Sequence, residues 1–516
     1  MNSNLEKRIK RQVIGKPHRF LAIAPLGFEQ TLAEEIACIK GEPKANDRIH
    51  KELIDSYAEQ PHIVGDGKVE FTTKITDAWK IVAYSRIANR VLIHLADFKA
   101  ENFRDFEKKS SEIPWELYLD KRQKTKDERY FGNVILSEAH RSKSKNPVNY
   151  SSPSLSIHVT CKHSRLYHSD AIAERLRKVI EDSFSKGGSL PLAPAPCHPR
   201  EGGDFPASSA SPSAGTPRNA PPQNVYVTFL DDRCTIWLDL AGEELYKRGH
   251  ERFVNDAPLK ETIAAGMLFE AFNAAPLPQS TLFDLMAGSG TFSLEAAYIA
   301  NKLIPGVCRD FALKHQPAFK EATWNYILRG ETREERRENF NSVILERSDR
   351  MAIDSIKKIV TSDISERAVK IIKHNVECSP LAGISPNSDT PTINPQLKDF
   401  FSYTAKEIAE ICRDTSPIIV LNPPYGKRLD FDAPKLYTKI GHHLAALASE
   451  LKPLGKALTV AILAPKDDSR EGSKYTCTAN LLRECPALSP EKNSAAKLIV
   501  TSHGGLTLNT FIAKLS

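Results

Sequence analysis

Four short apolar runs in the second half of the chain constrain its fold more than anything else in the sequence. TLFDL (Thr281–Leu285), IVTSD (Ile359–Asp363), PIIVLN (Pro417–Asn422) and ALTVAIL (Ala457–Leu463) each break off into turn or loop residues, and helix-like segments separate them. Runs of this kind fit strands buried on both faces, and their alternation with helices predicts a doubly wound, mostly parallel sheet. The C-terminal end departs from that pattern: KLIVTS, the turn His503-Gly504-Gly505 and LTLNTFIAKL predict an antiparallel hairpin. A mixed sheet closing on a hairpin argues against a plain dinucleotide dehydrogenase. The expectation is an α/β, Rossmann-like domain over 255–516.

The first half reads differently. FLAIAP (Phe20–Pro25) predicts a buried strand, and Phe28, Leu32 and Ile36 at four-residue spacing predict an amphipathic helix after it. KVEFTT (Lys68–Thr73) alternates like a strand, ITDAWKIVAYS follows as a helix, and RVLIHLADF (Arg90–Phe98) is a further strand. A second set follows: strand SLSIHVTCK (Ser154–Lys162), helix SDAIAERLRKVIEDSF with Ser169 as its N-cap, and hairpin NVYVTFLDDRCTIWLDLA turning at Asp231-Asp232. Together these predict an α+β module. Residues 1–19 are basic and read as a disordered tail, and 187–223, rich in Pro, Gly, Ser and Ala, read as a disordered insertion. An interdomain linker would share that composition, but the hairpin after it completes the same α+β unit.

A chain of 516 residues is too long for one compact domain, and 26% charged residues are ordinary for a globular protein. The net charge of +7 is compatible with a polyanionic partner without arguing for one. Nine scattered cysteines without a C-x-x-C pair speak against a zinc ribbon and a disulfide framework, so no metal is expected. The N-terminus lacks the apolar core of a signal peptide, and no run of about eighteen apolar residues occurs. A cytoplasmic protein with no membrane contact is expected, its oligomeric state open. The adjacent His442 and His443 point to different helix faces and receive no role.

The chemistry-bearing residues lie at the predicted strand ends. Asp284-Leu285-Met286-Ala287-Gly288-Ser289-Gly290-Thr291 joins a strand to a helix. Gly288 and Gly290 allow close backbone approach to a ligand, and the helix start presents free N–H groups. A dinucleotide loop would have a third glycine where this chain has Ser293, and an acid before the glycines suits an ammonium group better than a pyrophosphate. The same residues could serve a plain tight turn. Asp363 stands where Rossmann-like sites bond ribose hydroxyls, although a strand-end acid is also a common helix cap. Asp399 could accept from an adenine amino group with Phe400 packing on the ring, or Phe400 could be core.

Asn422-Pro423-Pro424-Tyr425 decides among these readings. The lone pair of an aromatic amine is delocalised and poorly nucleophilic. The Asn422 side-chain oxygen and the Pro423 carbonyl can both accept from a target NH₂ and turn its lone pair toward an electrophilic methyl. Two prolines hold the turn, and Tyr425 offers a ring to an extruded base.

LFDLMAGSGTFSLEAA (Leu282–Ala297) and LNPPYGKRL (Leu421–Leu429) resemble the class I S-adenosylmethionine-dependent RNA methyltransferases with an N-terminal THUMP domain. The large-subunit rRNA guanine-N2-methyltransferases are the most similar branch. APLGFEQTLAEEI, SRIANRVLIHL, VTCKHSRLYHSDAIAERL and LDLAGEELYKRGHERFVNDAPLKETIAAGML extend the likeness across nearly the whole chain. The resemblance implies a ferredoxin-like part over 20–64 and a THUMP RNA-binding part over 65–245. It implies that Asp284, Gly288 and Gly290 line the methionine and ribose of S-adenosylmethionine, Asp363 its ribose and Asp399 its adenine. Asn422 to Tyr425 would receive the base. The second methyltransferase domain common among bacterial relatives has no counterpart in these residues, which implies a single modification.

The implied partner is RNA, with large-subunit rRNA foremost. A tRNA guanine or adenine enzyme would carry the same motifs, as would a DNA adenine-N6 enzyme, against which the N-terminal module argues. A non-catalytic ribosome assembly factor is the reading from another class. Lys121 to Arg165 holds ten Lys or Arg against three Asp or Glu, so Lys162 and Arg165 are candidates for phosphate contact. Lys247 and Arg248, at the junction between the halves, are a second pair; a solvated charged surface is the plainer alternative.

Overall fold

The computed structural model describes residues 3–40, 60–119, 154–185, 220–254, 258–275, 279–329, 356–384, 391–425, 432–467 and 476–515. These residues build two seven-stranded sheets. Most of the expected insertion, 187–219, and of the basic stretch, 121–153, lies outside the described residues.

The first sheet runs β2-β3-β1-β4-β7-β6-β5. Its strands are β1 (Pro17–Ile23), β2 (His62–Gly65), β3 (Lys68–Lys74), β4 (Arg90–Lys99), β5 (Leu155–Lys162), β6 (Gln223–Leu230) and β7 (Arg233–Asp239). All neighbours are antiparallel except β5 and β6. Asp231 and Asp232 both take positive φ in the β6–β7 turn, as a two-residue hairpin of matching twist requires. Helices α2 (Glu29–Lys40), α3 (Ile75–Tyr84), α4 (Phe103–Ser111) and α5 (Ser169–Ser185) complete the module.

Three expectations need correction here. Residues 3–14 are not a disordered tail: α1 (Ser3–Ile9) continues into a wider helical turn, and Ile9 and Val13 are buried. Their apolar side chains give this basic segment something to bury. The boundary at 64/65 is not physical, because β2 and β3 lie on either side of it in one sheet with β1. Gln223 belongs to β6 and donates to the Ala312 carbonyl, so the insertion ends before it. Sequence periodicity also missed β2 and α4, a four-residue strand and a mostly polar helix.

The second sheet runs β10-β9-β8-β11-β12-β14-β13. Its strands are β8 (Ser280–Asp284), β9 (Ile356–Asp363), β10 (Gln396–Leu397), β11 (Ser416–Leu421), β12 (Leu458–Pro465), β13 (Lys497–His503) and β14 (Leu506–Leu515). From β10 to β12 all pairings are parallel; β14 enters antiparallel beside β12 and pairs with β13. Order reverses at β8, whose neighbours are β9 and β11, and open α/β sheets bind ligands at the carboxyl ends of strands at such a point. β11 shows why its sequence is a continuous apolar run. Ile418 and Val420 join one buried cluster, Ile419 and Leu421 another on the opposite face.

The two halves share a core. Phe28 packs on α6 (Glu261–Ala274) so closely that a Cβ on Gly266 would lie 2.6 Å from its ring. Residues 312–327 bind the first module. Ala312 and Leu313 donate to the carbonyls of Ala241 and Leu240, and the Tyr84 hydroxyl donates to Ile327 in α8 (Glu321–Arg329).

Candidate active site

Strand register brings the predicted residues together. Leu397 pairs with Asp363, Thr361 with Asp284, and Asp284 with Val420. Asp399, Asp363, Asp284 and Asn422 therefore stand in that order at the carboxyl ends of β10, β9, β8 and β11, on strands about 4.8 Å apart.

Asp284 is 1% exposed. Its Oδ2 accepts from the Ser293 amide at 3.1 Å and the Ser293 hydroxyl at 2.7 Å, in the first turn of α7 (Thr291–Ala300). Its Oδ1 is buried with no hydrogen-bond partner among the described residues. Burial pushes its pKa up to about 7; Ser293 opposes this, and the nearby Asp363 charge adds to it. Ser293, the residue that replaces a third glycine, thus holds the acid.

The loop between β8 and α7 is shaped by two left-handed glycines. Gly288 (φ +57°) faces open space, and Gly290 (φ +79°) packs with its Cβ position 3.1 Å from Ile372. The Gly288 amide donates to Asp363 Oδ2 at 2.9 Å, while Ser365 donates to Asp363 Oδ1 at 2.8 Å. Asp363 thereby links loop to strand, and each of its oxygens retains acceptor capacity. Asp399 Oδ1 caps the short turn after β10 by accepting from Phe401 at 3.0 Å.

Phe400 is a correction. Its ring is 1% exposed, against Phe401 and His443, so it belongs to the core and cannot cover a ligand ring. The exposed apolar side chains at this edge are Ile364, 72% exposed, and Leu397, 61% exposed, each beside one of the acids. The signal that could have found Ile364 is a large apolar residue directly after a strand-end acid.

Directly after β11, Asn422 is half-buried and its Oδ1 has no hydrogen-bond partner among the described residues. Pro423 is buried and Pro424 exposed, while Tyr425 packs partly against the main core. A buried amide oxygen without a donor costs roughly 1–3 kcal/mol, which a bound NH₂ would recover.

The RNA candidates are scattered. Arg248 is corrected: at 4% exposure it pairs in fork geometry with Glu295 of α7 at 3.0 Å and donates to the Leu245 and Arg86 carbonyls. It fastens the halves together and has no face for RNA. Lys247 is exposed beside Glu243. Lys162 and Arg165 are exposed at the far edge of the first sheet, where Arg165 pairs with Glu101 and Asp232. Sequence reasoning also missed Arg252, which pairs with Glu261 and reaches the hydroxyls of Ser289 and Thr291. No group of three or more His, Cys, Asp or Glu among the described residues is placed to hold a metal, and no described helix is long and apolar enough to cross a membrane.

A switch point at β8, a glycine loop with free space at Gly288 and acceptors unmet among the described residues at Asp284 and Asn422 fit a ligand with an ammonium group and hydroxyls beside an amine. Comparisons with known proteins agree. Residues 248–460 match the model of the UPF0020 family, an RMKL-like methyltransferase domain. The ribosomal RNA large subunit methyltransferase K/L of Allochromatium vinosum is 26% identical over 453 residues, 86% of this chain and 48% of that one. Its counterpart in Alteromonas mediterranea is 25% identical over 374 residues, 71% and 40%. The chain thus spans less than half the length of these two relatives.

Among solved structures, a possible methylase from Clostridium difficile 630 superposes with a TM-score of 0.58 at 20% identity, covering 97% of this chain and 99% of that one. SMU.472 in complex with SAH gives 0.57 at 19% identity, covering 96% and 98%. Both cover the N-terminal module as well as the Rossmann-like domain, so the whole architecture is shared. In its matched segment and its fold, the chain resembles the RMKL-like, S-adenosylmethionine-dependent methyltransferases.

Proposed function

We propose that this protein transfers a methyl group from S-adenosylmethionine to an exocyclic base nitrogen in RNA, N2 of a guanine in large-subunit rRNA. The observation that carries the reading is Asn422 Oδ1, buried with no hydrogen-bond partner among the described residues, directly after the strand beside Asp284. When bound, S-adenosylmethionine supplies an electrophilic methyl on a good leaving group, so orientation rather than a strong base is what the protein must add. Asn422 Oδ1 and the Pro423 carbonyl accept from the target amine and aim its lone pair. Asp284 Oδ1 meets the ammonium, Asp363 the ribose hydroxyls and Asp399 the adenine amino group, with Ile364 and Leu397 giving the ring an apolar bed.

RNA, and large-subunit rRNA in particular, is supported by the names of the K/L relatives; the choice of guanine N2 rests on the family resemblance. THUMP-type RNA binding by the first module and a cytoplasmic location belong to the same reading. Nucleoside mass spectrometry of rRNA and tRNA from cells with and without the gene tests it. Loss of one N2-methylguanosine from large-subunit rRNA is expected. Loss of a tRNA mark alone would overturn the substrate, and no change in either, together with no heat of S-adenosylmethionine binding, would overturn the enzyme.

A further inference from the structure

Behind the glycine loop lies a second feature that the methyl-transfer site does not use. The chain joining the two halves passes along α9 (Glu366–Glu377), and the Phe253 amide donates to Asn375 Oδ1 at 2.8 Å while Asn375 Nδ2 donates back to the Phe253 carbonyl at 2.9 Å. This pairing presents the Phe253 ring outward. It remains 39% exposed and stacks on His374 with centroids 4.0 Å apart and planes 8° from parallel. An open groove of about 490 Å³ runs beside it, lined by Phe253, Glu366, Arg367, Lys370, Ile371 and His374.

The groove combines a flat ring with cations. Arg367 and Lys370 are exposed on the same face of α9; Lys370 pairs with Glu366 at 2.8 Å, and Arg367 has no ion pair among the described residues. Lys373 is exposed on the same helix. A ring for stacking flanked by cations suits a single-stranded nucleic acid, because every base has a π-face and every linkage a phosphate. Asn375 Nδ2 also donates to the Ser289 carbonyl at 3.0 Å, which ties the groove to the loop between Gly288 and Gly290.

We infer that this groove is a docking site for an unpaired stretch of the substrate RNA, one base stacking on Phe253 and its phosphates lying along Arg367 and Lys370. The inference rests on the proposed RNA substrate and adds a place where that RNA is held outside the methyl-transfer site.

Filter binding of the full chain to protein-free large-subunit rRNA from cells lacking the gene tests it, with S-adenosylmethionine calorimetry alongside. Phe253→Ala should weaken rRNA binding at least about fivefold, the lower end of what one base–aromatic stack contributes. Arg367→Glu with Lys370→Glu should weaken it further and make the slope of log affinity against log salt shallower by about 1.4, or two single-strand phosphates. Both should keep wild-type affinity for S-adenosylmethionine. The charge variant alters only exposed side chains, so it stays informative even if Phe253→Ala perturbs folding. Wild-type-like rRNA binding and salt slope in the charge variant would overturn the groove and leave the RNA reading intact. A wild-type chain that binds no RNA would overturn the RNA reading itself. Variants that keep rRNA affinity but lose sedimentation with large-subunit precursor particles would give the groove to a protein partner and overturn the inference.

Discussion

Two regions of this molecule bury charge and polarity, and they do so to opposite ends. At the junction, Glu35 accepts from the Ser85 hydroxyl and the Arg86 amide, while Arg248 forks onto Glu295 and uses its remaining donors on carbonyls. Burial pulls the Arg248 pKa down, but the Glu295 charge and hydrogen bonds outweigh it and leave it above its ordinary value. At the carboxyl edge of the second sheet, Asp284 and Asn422 each keep one buried oxygen without a donor among the described residues. The Arg248–Glu295 pair is polar chemistry completed within the chain, although Arg86 Nη1 beside it is buried with no hydrogen-bond partner among the described residues. The edge is polar chemistry that a ligand would complete.

The comparison breaks first at the junction. Glu295→Ala strands Arg248, and Arg86 with it, in a buried setting, so a loss of about 3–5 kcal/mol in chemical denaturation is expected. Little loss would mean that water or relaxation satisfies the arginines and that the junction is less complete than its geometry implies.

Asn422→Ala tests the opposite pole. Removing one oriented hydrogen-bonding group from a site of this type costs about 10²- to 10³-fold in kcat. Affinity for S-adenosylmethionine and the melting temperature should hold. Equal losses in binding and transfer would contradict an orienting role.

Asp284 sharpens the contrast through pH. Because its pKa is raised to about 7, the ligand-free carboxyl carries a proton below that value, and an ammonium needs it ionised. S-adenosylmethionine affinity, measured by calorimetry, should fall about tenfold per pH unit below 7, and Asp284→Asn should flatten that dependence. The sign for stability follows from the same shift. A carboxyl with a raised folded pKa stabilises most at low pH and loses that contribution as pH rises through about 7. Asp284→Asn should therefore raise the melting temperature above pH 7 and leave it unchanged near pH 4.

The smallest effect belongs to the loop. Gly288→Ala meets open space but must hold a left-handed φ of +57°, a strain of roughly 1–2 kcal/mol. The melting temperature should drop by a few degrees, and one that did not move would show the loop relaxing to another conformation.

The second domain was legible because its strands are continuous apolar runs and because strand-end residues declare themselves by position. Asp284, Asp363, Asp399 and Asn422 fall in one row for that reason. Phe400 and Phe401 could not be told apart, since a short turn has no periodicity to say which ring faces inward. Arg248 misled because its partner Glu295 lies 47 residues away and only tertiary packing joins them. The N-terminal helix was hidden by its charge: two buried residues, Ile9 and Val13, decide its fate within a run of lysines and arginines.

The placing of β1 between β3 and β4, and of β7 on the far side of β4, has a consequence for the nascent chain. β4 is synthesised more than a hundred residues before β7, its partner from Leu92 to Lys99, and β5 can join the sheet only through β6 and β7. Until Asp239 has left the ribosome, the outer edge of β4 presents unpaired amides and carbonyls, a template for pairing with another chain. Fragments that stop short of Arg233 should associate with one another where the longer chain does not. The first module is thus sealed only just before the second domain begins to emerge.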